Sequence, residues 1–183
     1  MNDRTRQFES LAPPHLDAAY NLARWLLRDD RDAEDVVQEA YLRAFRFFDS
    51  LRNADARAWL LSIVRRTCYD WLDQRKLHGV HEEFDEFADL PWDAHAAAPV
   101  TPEAQVASSE LNARVNAALG ALPPLFREVI VLRKLEELSY EDIARIVGVP
   151  VGTVMSRLSR ARARLRERLE PIRTPGVDQQ GIP

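Results

Sequence analysis

Apolar residues recur at spacings of three and four on both sides of a single interruption, and nowhere does the chain alternate polar with apolar over the length of a strand. That pattern restricts it to an all-α fold in two parts. The period is plain over 11–27 and 32–48, where Val37, Ala40, Tyr41, Ala44 and Phe48 share one face of the second stretch. Asp32 is placed to cap that second helix, with Asp35 three residues on and acids favoured in a first turn by the helix dipole. "DSLRNADA" (49–56) breaks the pattern and reads as a loop. A third helix is predicted from Ala56 to Lys76, with Leu60, Ile63, Val64, Thr67, Trp71 and Leu72 as its buried stripe. From His78 to about Pro102 the period vanishes among acids, alanines and prolines, which reads as a linker.

Four further helices are predicted after it, in "SELNARVNAALGAL", "PPLFREVIVLRKL", "SYEDIARIVG" and "PVGTVMSRLSRARARLRERL". "VIVL" alone would pass for a buried strand, but Leu125, Val129, Leu132 and Leu135 keep helical spacing. The expected organisation is two small helical domains: a three-helix unit over 1–77, an acidic flexible linker over 78–110, a four-helix unit with a helix-turn-helix over 111–170, and a disordered tail over 171–183.

Charge is distributed unevenly over these parts. The net charge is −4, yet residues 78–110 hold eight acids and no Lys or Arg, whereas 111–170 hold eleven bases against seven acids. The global balance is therefore a poor guide to partners, because the acidity lies in the linker and the last helix is basic. An apolar fraction of 46% supplies packed cores, and one cysteine, Cys68, excludes an intrachain disulfide and a cysteine-built zinc site. "MNDRTRQFES" has no signal-like apolar stretch and no run is long enough to span a bilayer, so a cytoplasmic protein without membrane insertion is expected.

The basic helix is preceded by a turn of defined chemistry. Ser139 is placed to cap "YEDIARIV", Gly148 falls where a tight turn needs positive φ, and Pro150 suits the start of the next helix. Helix, short glycine turn, helix is the layout of a helix-turn-helix, with Ala144 small at the crossing and Val154 between the two helices. In the second helix Val154, Leu158, Ala161, Leu165 and Leu169 make an inward stripe, while Arg157, Arg160, Arg164 and Arg168 line a neighbouring face. Like charges at that spacing repel, and a polyanion relieves the repulsion. Gly152 and Thr153 suit close approach to phosphates, and Ser156 and Arg157 are placed to reach base edges in a major groove. A solvated arginine face is the bland alternative.

"DAEDVVQEAYLRAF", "ARAWLLSIVRRTCYDWL" and "ALPPLFREVIVLRKLEELSYEDIARIVGVPVGTVMSRLSRARARL" together resemble the conserved segments of extracytoplasmic-function (ECF) sigma factors, the small two-domain initiation factors of bacterial RNA polymerase. The resemblance covers about 11–77 and 111–169, in the right order and separation. It implies a core-binding helix whose Asp35, Gln38, Glu39 and Leu42 face the clamp coiled coil of the largest polymerase subunit. It implies a −10 surface that includes Asn53, Asp55, Arg65, Arg66, Tyr69, Arg75 and Lys76, where opening a duplex needs a pocket for an unstacked base and a basic surface for the freed strand. Trp59 and Trp71, at helical spacing, are assigned to the core instead. It implies a −35 surface of Arg133, Gly152, Thr153, Ser156, Arg157 and Arg160. Arg66 and Thr67 depart from the family's pattern in the −10 helix, and Met155 and Ser159 stand where relatives often carry basic or aromatic residues, so no particular promoter sequence transfers. The implied partners are the polymerase core, including the flap of the second-largest subunit, promoter DNA and an anti-sigma factor.

Other chemistry has little support in the sequence. Six glycines form no phosphate-cradling loop, and neither HExxH nor CxxC occurs, so no cofactor or catalytic residue is expected. Two alternatives stay open at this level: a conventional helix-turn-helix repressor, and an all-α hydrolase using the acids of "RDDRDAED" (28–35) on a divalent ion. The acidic linker reads either as solvated chain or as a strand that follows a basic channel or shields the C-terminal arginines.

Overall fold

The computed structural model describes residues 3–51, 55–77 and 102–169, and among these it is all helix and turn, with no strand. Eight α-helices follow one another: α1 Asp3–Leu11, α2 Leu16–Leu27, α3 Asp30–Arg46, α4 Ala56–Leu77, α5 Pro102–Gly120, α6 Pro124–Lys134, α7 Tyr140–Val147 and α8 Val151–Leu169. The all-α, two-part expectation is met. Residues 78–101 and 170–183, which include most of the expected linker and the whole expected tail, lie outside the described residues.

The first part contains one helix more than its sequence suggested. The apolar period of 11–27 is interrupted by a short 3₁₀ turn at Pro13–His15, and α1 precedes it. Proline is tolerated in a first turn but removes the donors that would join α1 to α2. Side chains anchor α1 instead. Arg4 donates from Nη2 to the carbonyls of Phe45 (2.8 Å) and Arg46 (3.1 Å) at the end of α3. Phe8 lies edge-on to Tyr41, Phe45 and Phe48. The Tyr41 hydroxyl donates to the Ala12 carbonyl at 2.8 Å, and burial pushes its pKa up to about 12.

Helix α3 starts two residues earlier than predicted, because Asp29 and not Asp32 is the cap. Its extended backbone lets the carboxylate accept the Asp32 N–H at 2.9 Å. Asp55 does the same for α4, accepting from the Arg57 N–H at 2.9 Å. The predicted stripe of α4 is buried at Leu60, Val64 and Thr67 and joined by Leu61 and Cys68, with Ile63, Trp71 and Leu72 partly covered. Burial pushes the Cys68 thiol up to about 12, so it behaves as a small apolar side chain.

In the second part α5 begins at Pro102, so its first turns fall within the stretch assigned to the linker. The VIVL segment is helical, as its flanks predicted, but Leu125 and Leu135 are exposed while Val129, Ile130, Val131 and Leu132 are all buried. The reason is that α6 is enclosed by α2, α7 and α8, and a helix covered all round is apolar all round. Ser139 caps α7 as expected, accepting the Asp142 N–H at 3.0 Å and donating to the Asp142 carboxylate at 2.6 Å. That hydroxyl, with Arg145, holds the Asp142 carboxyl below its usual range. Gly148 closes α7 with φ of +73°, its N–H on the Ala144 carbonyl at 2.9 Å.

The two parts share one core. Helix α4 packs against α7 and α2 against α6, so a continuous apolar cluster runs from Leu22 and Leu61 through Leu132 and Ile143 to Leu158. A side chain at Gly148 would meet nothing within 4 Å, so Gly148→Ala tests the backbone alone. We expect it to lower the unfolding free energy by about 1 kcal/mol without changing the urea m-value, the cost of holding an L-residue at positive φ.

Candidate nucleic-acid and polymerase interfaces

Three surfaces hold the residues singled out from the sequence. On α3, Asp35, Gln38 and Glu39 are exposed and Leu42 is 57% exposed, a large apolar side chain in the open between polar neighbours. Glu39 accepts from Arg43 Nε at 2.9 Å, and Arg43 reaches across to Asp70 at 2.6 Å, which fixes this face against α4. The face is therefore formed and unobstructed by the rest of the described chain.

The acids near the start of α3 are already engaged. Asp29 caps the helix, Asp30 pairs with Arg24 at 2.8 Å, and Asp32 pairs with Arg75. Among the described residues no three acids, histidines or cysteines are grouped to hold a metal ion.

On α4 the candidate residues divide. Asp55 and Arg66 are exposed, and Arg75 is committed to Asp32. Asn53 and the side chain of Lys76 lie outside the described residues. Arg65 and Tyr69 instead turn toward the second part of the chain. Arg65 donates in a fork to Glu128 of α6, Nε to Oε2 at 2.7 Å and Nη2 to Oε1 at 3.1 Å, and the Tyr69 hydroxyl donates to Oε2 at 3.0 Å. The Arg65 guanidinium lies 4.6 Å from the centre of the Tyr69 ring. Burial opposes charge on Arg65, but its hydrogen bond and attraction to Glu128 win and hold its pKa above the ordinary value. Burial, then the Glu128 charge, push the Tyr69 hydroxyl well up.

On the helix-turn-helix, Val154, Leu158 and Ala161 are buried as the predicted stripe, but the predicted arginine face is not one face. Arg157 turns inward, 20% exposed, with Nη1 3.5 Å from Glu128 Oε1. Arg164 stacks 4.9 Å from the Phe126 ring centre. Arg160, Arg164 and Arg168 remain exposed. A buried carboxylate and an aromatic ring on neighbouring α6 divide the row, which periodicity within α8 cannot reveal. Arg133 donates to the Leu138 carbonyl at 2.7 Å and lies over Tyr140, closing the turn into α7. Gly152, Met155, Ser156 and Ser159 form an exposed reading end with Thr153 half-buried beside them.

Gly152 is informative because nothing in the protein demands it. A Cβ there meets no atom within 4 Å and its φ is ordinary, yet glycine in a helix costs about 0.5–1 kcal/mol relative to alanine. A helix that carries such a cost in its first turn, beside exposed hydroxyls and Arg160, leaves room for something outside the chain.

The sequence reading missed the charged residues that the core encloses. Glu128 is fully buried, Glu136 and Arg127 nearly so. Arg127 donates to the carbonyls of Leu119, Gly120 and Leu122 behind α5 and to that of Trp25 in α2. Burial, with Arg28 nearby, pulls its pKa down to about 10, still charged at neutral pH. Glu136 accepts from Arg57 Nη2 at 2.7 Å and Asn21 Nδ2 at 3.2 Å, both from the first part of the chain. One signal was present: Arg127 and Glu128 stand inside the apolar run "PLFREVIVL", where a charge is either exposed or paired.

Comparison with known proteins places the chain in a family. Residues 11–77, which take in α2 to α4, match the family model for sigma-70 region 2, and residues 112–165, across α5 to α8, match that for sigma-70 region 4. The ECF RNA polymerase sigma-E factor of Haemophilus influenzae is 36% identical over 82% of this chain and 80% of its own length. The chain belongs to the ECF sigma factors of RNA polymerase. The ECF sigma factor SigE of Mycolicibacterium smegmatis is 35% identical over 88% of this chain, which spans 61% of that relative's length. Among solved structures, the sigma factor RpoE in complex with the anti-sigma factor NepR from Bartonella quintana superposes with a TM-score of 0.73 at 30% identity, over 90% of this chain and 98% of RpoE. CnrH in complex with the cytosolic domain of CnrY gives 0.64 at 27% identity, over 91% and 90%. ECF sigma factors are initiation factors and not enzymes, which accords with the engaged acids of α3.

Gly152→Ala separates the two demands on this ECF sigma factor's α8. We expect the variant to gain about 0.5–1 kcal/mol in urea unfolding and to bind promoter duplex more weakly, measured by anisotropy. A glycine retained for internal packing would give a loss of stability instead.

Proposed function

We propose that the chain acts in the cytoplasm as an alternative sigma factor that carries RNA polymerase core to specific promoters and promotes initiation there. The exposed α3 face with Asp35, Gln38, Glu39 and Leu42 docks on the clamp coiled coil of the largest subunit. Asn53 and Asp55 before α4, and Arg65, Arg66, Tyr69, Arg75 and Lys76 on it, open and hold the −10 element. The turn between α7 and α8, with Arg133, Gly152, Thr153, Ser156, Arg157 and Arg160, grips the −35 duplex, and the second part also meets the flap of the second-largest subunit.

The observation that carries this reading is the presence, in one chain, of a matched region 2 with an open polar and apolar docking face and a matched region 4 with an exposed helix-turn-helix reading end. The RpoE structure holds a sigma factor with the anti-sigma factor NepR, and its likeness to this chain supports control by such a partner here. That no helix among the described residues is long and apolar enough to cross a membrane accords with action in the cytoplasm.

Transcription in vitro with purified core polymerase and genomic fragments tests the assignment. Promoter-specific transcripts that depend on the added protein are expected. Tight duplex binding by the protein alone, without stimulated initiation, would instead indicate a repressor. In the same assay Leu42→Glu should abolish stimulation by preventing core binding, a loss seen directly as failure to co-migrate with core in gel filtration. Arg160→Ala should weaken holoenzyme binding to the promoter and lower the slope of log affinity against log salt by about one if the contact is to phosphate.

A further inference from the structure

The buried Glu128 carboxylate is reached from both parts of the chain. From its own part comes Arg157, and across the junction come Arg65 and Tyr69. All three are residues assigned above to DNA: Arg65 and Tyr69 donate to Glu128 across the junction, whereas an Arg157 nitrogen lies 3.5 Å from it within the C-terminal part. A carboxylate accepts the arginine fork through two oxygens much as a phosphate does, so the same guanidinium serves either partner but not both at once. The docking face on α3 has no such cover.

A second carboxylate repeats the arrangement beside it. Glu136, also from the C-terminal part and 5% exposed, takes Arg57 from α4 and Asn21 from α2. Neither of those residues belongs to the DNA surfaces. Both junction contacts are largely enclosed, so salt screens them less than it screens exposed arginines on a polyanion.

We propose that Glu128 is an internal stand-in for nucleic acid: it latches region 4 onto region 2 in the free chain, withholds Arg65 and Tyr69 from DNA, and leaves the α3 face available to polymerase. The inference rests on the assignment of α4 and α8 to promoter DNA. Core polymerase then meets a chain that can dock but not yet read, and DNA contacts become available only when the units part. In the free protein the apparent DNA affinity is the intrinsic affinity reduced by the fraction of open chain.

The experiment uses the full-length protein without polymerase, a fluorescein-labelled oligonucleotide of mixed sequence in single- and double-stranded form, and small-angle scattering on the same samples. Two variants release the latch by different contacts: Glu128→Gln at the hub and Arg57→Met at the Glu136 contact. Each is expected to enlarge the radius of gyration and to tighten oligonucleotide binding roughly tenfold, the gain being set by the increase in open fraction. Arg57→Met removes a cation, so its gain cannot be electrostatic. It also spares the Arg157–Glu128 pair, and so remains decisive if Glu128→Gln fails to fold. An unchanged radius in folded Arg57→Met overturns the latch. An enlarged radius with unchanged oligonucleotide affinity overturns the withholding of DNA contacts and identifies the DNA assignment of Arg65 and Tyr69 as the fault.

Discussion

A carboxylate with no solvent access sits at the junction of the two halves, and most of what the structure achieves depends on how it is satisfied. Removing one partner of a buried ion pair leaves an uncompensated charge and costs about 3–5 kcal/mol, a large part of the stability of a domain this size. Glu128 avoids that cost with the Arg65 fork, the Tyr69 hydroxyl and the flank of Arg157. Its sequence neighbour Arg127 points the other way around α6 and is satisfied by four backbone carbonyls, three behind α5 and one at Trp25. Two adjacent charges on one helix thus do different work: the arginine fastens α5 and α2 to α6, and the glutamate draws α4 and α8 to it.

Polar contacts of this kind give a junction different properties from an apolar one. The apolar area shared by α2, α4, α6 and α7 favours association over a range of relative placements, whereas the Arg65–Glu128 and Arg57–Glu136 pairs require one register. They are also exchangeable, since another anion or another cation can take either side. In a family whose solved members include a sigma factor bound to an anti-sigma factor, a junction whose polar pairs can be exchanged suits the latch proposed for Glu128.

The parts of the fold legible in the sequence were those set by local rules. The positive φ at Gly148, the Ser139 cap and the inward stripe of Val154, Leu158 and Ala161 all follow from residues within one or two turns of one another. What escaped was set by contacts distant in sequence. Helix α1 has a weak period of its own and is held by Arg4 on the end of α3 and by Phe8 among rings of α3 and the turn after it. The all-round burial of Val129 to Leu132 follows from α2 crossing α6, and the division of the arginine row on α8 follows from Glu128 and Phe126 lying opposite Arg157 and Arg164. Of the candidate site, the exposure of Asp35, Gln38, Glu39 and Leu42 on α3 and of Gly152 and Ser156 on α8 was legible because exposure on an amphipathic helix is a local property. The inward turn of Arg65 and Tyr69 was not, because it needs the other half of the molecule, and that of Arg157 needs the neighbouring α6.

In the proposed latch the free sigma factor is closed, with Glu128 joining its two regions, and polymerase opens it. A distance between nitroxides on Glu9→Cys in α1 and Glu167→Cys in α8, in a chain whose buried Cys68 is replaced by alanine, measures this directly by double electron–electron resonance. The free protein should give a single short, narrow distribution, and addition of core polymerase should replace it with a longer one. The same distribution in both states would contradict the account.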